Sequence, residues 1–250
     1  MWQGTATLYP GRLLYTGRLG SAHRHHHAAA QLIFSANGSV GLRDDAGRRW
    51  AGRAALIPPG VPHETTGTAT GLLVFADAQS PLGRALTDCV QRTGSAVDSV
   101  TAWSRAALPL LDLDDGERDP RQLAHAALTA LIGDPAPTGA ARHPALRRAL
   151  ELLPDLLDGP LRLAELAAAV GLSASRLGHL FRAELGLAFP PYVRWARLRQ
   201  AMDHARRGGT LTEAAHAAGF ADSAHLTRVC REMFGLTPSE LAGAVTMVRP

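Results

Sequence analysis

The C-terminal part of the chain carries one physical pattern twice. The first copy runs Leu163-Ala-Glu-Leu-Ala-Ala-Ala-Val-Gly-Leu-Ser-Ala-Ser-Arg-Leu-Gly-His-Leu-Phe181. The second runs Leu211-Thr-Glu-Ala-Ala-His-Ala-Ala-Gly-Phe-Ala-Asp-Ser-Ala-His-Leu-Thr-Arg-Val229. Each reads as a short alanine-rich helix, a turn opened by a glycine (Gly171, Gly219), a capping residue (Ser173, Asp222) and a second helix. That order and spacing predict a helix-turn-helix. Two such units, joined by an amphipathic helix from about Pro191 to Arg207 that Gly208-Gly209 closes, make this region all-α. They also make sequence-specific DNA binding its leading function.

Helical periodicity divides each second helix into two faces. In the first unit Leu163, Leu166, Ala167 and Val170 form the inward stripe of the supporting helix, and Leu177, Leu180 and Phe181 that of its successor. Ser175, Arg176, His179 and Arg182 are left outside. In the second unit Leu226, Val229, Met233 and Phe234 point inward, leaving Ser223, Ala224, His225, Thr227, Arg228 and Arg231 for the groove. Arg228, one turn into its helix, suits bidentate contact with guanine O6 and N7, worth about 1–3 kcal/mol of discrimination. His179 can donate to guanine or phosphate, and Ser175 and Thr227 can meet a base or a thymine methyl. Arg182 and Arg231 lie further along and suit phosphate, which positions without reading sequence.

Residues of about 145 to 242 resemble the DNA-binding domain of the AraC/XylS family of transcription regulators. The resemblance is carried by Leu163-Ala-Glu-Leu-Ala with Gly171-Leu-Ser173, by Leu180-Phe181-Arg182 with Gly186, and by Arg197-Leu-Arg-Gln-Ala201. It continues through Glu213-Ala-Ala-His-Ala-Ala-Gly-Phe220, Leu226-Thr-Arg-Val229, Phe234-Gly235 and Thr237-Pro-Ser-Glu240. It implies a monomeric domain whose two recognition helices enter successive major-groove segments about one turn, or ~10 bp, apart. By the family pattern Ser175, His179, Ser223, Ala224, Thr227 and Arg228 fall at base-contacting positions. Leu226 and Cys230 replace the family's usual aromatics. Gly178 departs too, weakening the first recognition helix by up to ~1 kcal/mol relative to alanine, so the second unit is expected to be the stronger reader.

The remaining chain is long enough for another domain. At 250 residues and 46% hydrophobic content, two ordinary cores are expected. All 26 basic residues are arginine, and the net charge of +4 permits an anionic partner without requiring one. Arginine-only usage also follows from genomic base composition alone. Cys89 and Cys230 are far apart and form no CxxC pair, which argues against a cysteine zinc site or a disulfide framework. Residues 1–20 lack a signal-peptide pattern, and no stretch approaches eighteen uninterrupted apolar residues. A cytoplasmic protein with no membrane association is expected.

Up to about residue 78, short apolar clusters alternate with turn formers: Gln31-Leu-Ile-Phe34, Val40-Gly-Leu42, Ala54-Ala-Leu-Ile57 and Leu72-Leu-Val-Phe75, separated at Asn37-Gly38, Asp44-Asp-Ala-Gly47 and Pro58-Pro-Gly60. This spacing predicts a small β-barrel or sandwich. From Pro81 to Ile132 the apolar spacing becomes helical, and these helices are expected to pack on the barrel or to join two copies in a homodimer. Asp134-Pro-Ala-Pro-Thr-Gly-Ala140 reads as a linker. The expected fold is therefore α+β: a sensor domain over 1–133, a linker over 134–142 and a DNA-binding domain over 143–250.

The N-terminal half also contains His25-His-His27, Gln31 and Gly38, then Gly52 and Pro58-Pro-Gly-Val-Pro-His63. Residues 20 to 76 resemble the two motifs of the cupin barrel, which implies metal ligands at His25, His27, Gln31 and His63. Two histidines at i and i+2 on one strand face the same way, and a third from a neighbouring strand can converge on them. Such a set suits one divalent transition metal: zinc, nickel, copper or iron(II). Gln31 departs from the acid of that motif and weakens the attraction for a cation. The competing reading makes His23, His25, His26 and His27 barrel-mouth residues lining an organic-effector pocket. Arg24 and Arg53 suit an anionic effector or are solvated, while Trp2, Tyr15 and Trp50 wall a pocket or fill core.

Three functions follow. The first is a non-enzymatic transcription regulator whose barrel senses a small molecule or metal. The second is a metal-dependent cupin enzyme, an oxygenase or isomerase, fused to a helical domain. The third is a constitutive DNA-binding protein whose barrel is only a fold.

Overall fold

The computed structural model describes residues 2–9, 11–113, 119–133, 143–185 and 187–248, so the expected linker at 134–142 lies outside the described residues. The N-terminal domain is built on β1 (Gln3–Tyr9), β2 (Arg12–Leu19), β3 (Ala22–His25), β4 (Ala29–Asn37), β5 (Val40–Asp44), β6 (Arg49–Gly52), β7 (Ala54–Ile57), β8 (His63–Thr66) and β9 (Ala69–Asp77). Among the described residues they form two sheets. One places β9 between β2 and β4, with β1 and β7 outside them, and the other runs β3-β8-β5-β6. β4 and β9 are buried on both faces, which is why Leu32-Ile-Phe34 and Leu72-Leu-Val-Phe75 are unbroken apolar runs.

Helices α1 (Pro81–Gln91), α2 (Val100–Ala106) and α3 (Pro120–Ile132) pack on the barrel, α1 against β4, β7 and β9, α2 against β5, β6 and β7, and α3 against β9. Ser80 starts α1 by accepting from the Gly83 N–H, and Pro81 fits the first turn, where no backbone donor is needed. The helical spacing of the sequence holds: Leu86 and Val90 of α1 and Leu123, Ala127, Leu128 and Leu131 of α3 are buried against the barrel or each other. Burying each such leucine or valine stabilises by about 1.5–3 kcal/mol. Of the two expected positions for these helices, the one on the barrel is occupied.

The C-terminal domain comprises α4 (Pro144–Leu152), α5 (Leu163–Ala169), α6 (Ala174–Leu185), α7 (Phe189–Arg206), α8 (Leu211–Ala217), α9 (Ser223–Phe234) and α10 (Pro238–Ala244). One expectation is corrected here, because this region is not all-α. Val245–Val248 forms β10, which pairs in parallel with β1 in the register Gly4↔Val245 to Thr7↔Val248. The β-rich Val-Thr-Met-Val segment satisfies an otherwise open sheet edge. The boundary at 143–250 therefore gives its last strand to the barrel sheet, and the two domains share backbone hydrogen bonding. No described helix is long and apolar enough to cross a membrane.

Candidate nucleic-acid interface and sensor cavity

The two helix-turn-helix units fold as their spacing predicts. Gly171 and Gly219 open the turns with φ of 71° and 69°, a conformation side chains disfavour. Ser173 accepts from the Arg176 N–H at 3.2 Å, and Asp222 from the His225 N–H at 2.6 Å. Supporting helix α8 carries a full capping box between Thr210 and Glu213, whereas Arg162 before α5 makes no side-chain cap. The second unit is therefore the better fixed of the two.

Ser175, Arg176, His179 and Arg182 of α6, and Ala224, Arg228 and Arg231 of α9, are exposed, while Ser223, His225 and Thr227 are half-buried. The guanidinium groups of Arg176, Arg182 and Arg228 have no ion pair or hydrogen bond among the described residues, so each is available to a phosphate or a base edge. Thr227 donates its hydroxyl to the Ser223 carbonyl, leaving its methyl and a lone pair for contact. His225 packs edge-on against Phe220 at 5.2 Å. Gly178 is buried, and a Cβ there would lie 3.2 Å from Leu163 Cδ2. Its cost in helix propensity is offset by the close approach of α6 to α5.

β3 ends at His25, so His27 lies just beyond the strand and not on it as the i, i+2 spacing led one to expect; both side chains are nonetheless buried beside His63 of β8, the register partner of His25. Potential ligand atoms of the three rings lie within 4.8 Å of one another, and all three residues are buried. Each Nδ1 faces a backbone carbonyl: His25 to His23 at 2.7 Å, His27 to Ala29 at 2.8 Å and His63 to Val61 at 2.9 Å. A carbonyl only accepts, so each Nδ1 bears the hydrogen. Burial, reinforced by the neighbouring imidazole of His27, pushes the His25 pKa down to about 3. Burial likewise pushes His27 down to about 4, and His63 well below the usual imidazole value. The rings are neutral at physiological pH, and every Nε2 presents a lone pair.

The Gln31 side chain lies between two of those lone pairs, its Oε1 2.8 Å from His27 Nε2 and 3.1 Å from His63 Nε2. With the amide oxygen there, three acceptors converge without a proton. Two arrangements relieve this: a divalent cation among the Nε2 atoms and Oε1, or the amide turned so that its NH2 donates to both rings. Carbonyl-anchored Nδ1–H groups are the support that metal-binding histidines use. In the first arrangement the donor set would suit a zinc-, nickel-, copper- or iron-class ion.

The barrel and the helical domain are docked against each other through residues that the sequence did not single out. Asp77, buried at the end of β9, accepts from Trp195 Nε1 at 2.9 Å and from the Arg199 guanidinium, both on α7. At the end of α9, the His26 N–H donates to the Glu232 carbonyl at 3.0 Å, and the Glu232 carboxylate lies 3.5 Å from His26 Nε2 and 3.1 Å from Arg194. Gly235 closes α9 with φ of 67°, and a Cβ there would lie 2.7 Å from the His23 carbonyl oxygen. The second recognition helix thus ends against the strand that carries His25. A separation of 122 residues between Asp77 and Arg199 leaves no local signal for such a contact.

Between the domains lies a cavity of about 190 Å³. Leu13, Tyr15 and Phe75 line it from the barrel, and Leu198, Leu226 and Phe234 from the helical domain. His25 and Gln31 form part of the same wall, so the cavity reaches the histidine cluster. Phe75 links the two, with its ring 5.1 Å from that of His27 and 5.6 Å from that of Phe234. Of the aromatic residues singled out in the sequence, Trp2 and Tyr15 line this cavity, and Trp50 is partly buried on the barrel. Arg24 instead pairs with Asp45, and Arg53 lies over the Phe34 ring, away from the cavity wall.

Comparison with known proteins bears on both halves. Residues 166–244 match the family described as a helix-turn-helix domain. Over 104 residues, 40% of this chain, the sequence is 35% identical to the HTH-type transcriptional regulator GlxA of Rhizobium meliloti (strain 1021). The match covers 31% of that relative, so the chain spans about a third of its length. The whole fold is similar to that of ToxT from Vibrio cholerae, with a TM-score of 0.55 at 10% identity over 94% of this chain and 99% of that one. A second ToxT structure, the unsaturated fatty acid bound wild-type protein from Vibrio cholerae strain SCE256, gives 0.55 at 11% identity over 98% of both chains. At such identity the likeness is one of fold: an N-terminal sheet domain followed by a helical domain.

Proposed function

We propose, from the AraC-type helix-turn-helix domain carried on residues 166–244, that this chain is a sequence-specific transcription regulator whose DNA-binding domain is controlled by an effector held against the barrel. The observation that carries this reading is the position of the cavity. Its wall includes Leu226, Cys230 and Phe234 of α9, so a molecule inside it touches the second recognition helix directly. A ligand shifts an equilibrium only through different contacts in the two states. Occupancy of a cavity shared by both domains supplies such a difference, since separating the domains destroys half the binding site.

Double-stranded DNA is the partner, engaged by α6 and α9 through the exposed residues named above. Ser175, His179, Ala224 and Arg228 reach base edges, and Arg176, Arg182 and Arg231 reach phosphates. The cavity wall is apolar apart from its His25–Gln31 end, so the effector is a mainly apolar small molecule. The unsaturated fatty acid bound by ToxT from Vibrio cholerae supports that class. His25, His27 and His63, with Gln31, hold one divalent transition metal, which would supply a positive Lewis-acidic centre at that end. Two copies associate through the α1–α3 layer, where Leu108 and Leu111 are 54% and 44% exposed.

Selection of binding sites from random DNA with the full chain tests the reading. The expected product is a bipartite motif with halves about one helical turn apart. Failure to enrich any motif overturns it. Metal analysis of untagged protein tests the sensor: bound metal that is absent, or that survives both His25→Ala and His63→Ala, removes the metal from the proposal. Sedimentation velocity tests the dimer.

A further inference from the structure

The histidine cluster and the cavity meet at a point where charge is unbalanced. Imidazole ligates a metal in its neutral form, so three imidazoles and an amide around a divalent cation leave its full charge buried, and no arginine, aspartate or glutamate lines the cavity among the described residues. An uncompensated ion in apolar surroundings is strongly disfavoured, so this donor set needs an anion from outside the protein. The carboxylate that would stand at position 31 in the cupin pattern is absent, and Gln31 occupies its place.

A second observation points to the same spot. Thr65 lies two residues after His63 on β8, on the same face of the strand, and it lines the cavity. It is only 4% exposed, and its Oγ1 has no hydrogen-bond partner among the described residues. Away from the histidine cluster, the polar groups of the barrel wall are engaged: Tyr15 donates to the Arg18 carbonyl at 2.6 Å, and Trp2 Nε1 to the Ser21 carbonyl at 2.9 Å. A buried hydroxyl without a partner is costly unless a ligand satisfies it.

We propose that the histidine cluster and the interdomain cavity form one composite site for an amphipathic monocarboxylate. The carboxylate lies between the Thr65 hydroxyl and a cation held by His25, His27 and His63, and the hydrocarbon tail fills the cavity between β2, β9, α7 and α9. The effector then supplies the negative charge that Gln31 does not. The inference rests on the metal reading above and goes beyond it by naming the ligand class and by making metal and effector mutually dependent. Linkage requires that each raise the affinity of the other by the same factor. The cavity is similar in size to the ~150 Å³ engineered cavity that admits benzene, which favours a medium-length chain.

The test uses full-length protein, Co(II) as the metal, and octanoate, octanol and acetate as probes, read by calorimetry and by the visible spectrum of bound Co(II). Octanoate is expected to bind at least about tenfold more tightly with Co(II) than with EDTA, and to shift the Co(II) spectrum. Octanol should bind equally in both conditions without a spectral change. Acetate, lacking the tail, should need concentrations at least about a thousandfold higher to produce the same shift. Thr65→Val should weaken octanoate about fivefold while Co(II) still binds. Octanoate affinity indifferent to Co(II), or an unmoved spectrum on saturation, overturns the composite site and leaves the metal reading standing. Failure to bind Co(II), or binding that survives His63→Ala, overturns both.

Discussion

Replacing Asp77 by asparagine perturbs the contact between the domains at a single atom pair. The Asp77 side chain is buried and serves only α7, accepting from Trp195 Nε1 and from Arg199, while its backbone is already engaged by Gly11 and Ser80. Asparagine keeps an acceptor for the indole N–H but loses the charge that the Arg199 guanidinium faces. A hydrogen bond to a charged group contributes about 1.5–3 kcal/mol, and Arg199 retains 24% side-chain exposure, so water recovers part of the loss. The lower part of that range, about 2 kcal/mol, is the expected weakening. In a chain of this size it corresponds to about 4–8 °C in the melting temperature of a jointly unfolding unit.

The interface is an interdomain one, so the loss should appear chiefly as undocking. Calorimetry of Asp77→Asn is expected to resolve two transitions where the parent protein shows one. Hydrogen exchange should quicken first in α7 and at the end of α9, because the Glu232 and Gly235 contacts with β3 depend on the same docking. Arg199→Gln should reproduce the effect, and the double variant should cost little more than either change alone, since both remove one interaction. A single transition at the parent temperature, with unchanged exchange in α7, would refute the view that Asp77 holds the domains together.

Other expectations are equally direct. Arg228→Ala should cost about 1–3 kcal/mol on the selected site and much less on scrambled DNA, read by fluorescence anisotropy; equal loss on both would make it a phosphate contact. Arg182→Ala should weaken all sequences alike and reduce the slope of log K against log salt by about 0.9. Stability in urea should fall as pH falls from about 6.5 toward 4. His25, His27 and His63 are held neutral in the fold while the unfolded chain takes up protons, so protonation favours unfolding. His27 alone, with its pKa near 4, accounts for about 2 kcal/mol of loss by pH 5, and the curve should be flatter in His27→Gln. A stability that rises on acidification would contradict the neutral assignment.

The parts of this molecule that were legible in the sequence are those whose signals are local. Caps at Ser173 and Asp222, glycine turns and the 3.6-residue stripes each act within a few positions, so the helix-turn-helix units follow from the chain directly. The histidine cluster was legible in its residues but not in its local geometry, since His27 lies beyond the end of β3 and strand alternation does not account for its place beside His25 and His63. What was missed depends on partners far away in sequence. Val245–Val248 has the composition of a strand, but its edge is β1, at the opposite end of the chain. Asp77 reads as the end of a strand until α7 is placed beside it. Gly178, read in isolation, is a helix weakness, and only the packing of Leu163 reveals it as a close-approach position.

His26 shows where a local rule gives half an answer. His25 and His27 are buried in the barrel while His26 between them turns the other way, where a residue is ordinarily solvated. Here the outward side is occupied by α9, so one tripeptide has two faces with different duties. His25 lines the cavity and His27 meets Gln31 behind it, while His26 holds the Glu232 backbone and approaches its carboxylate. Any change in the rings of His25 and His27 must be accommodated by a strand whose next hydrogen bond is to the second recognition helix. Tight packing transmits such shifts rather than absorbing them, and Gly235 leaves no slack against His23. The segment 22–27 is therefore a direct physical link between the histidine cluster and the second recognition helix.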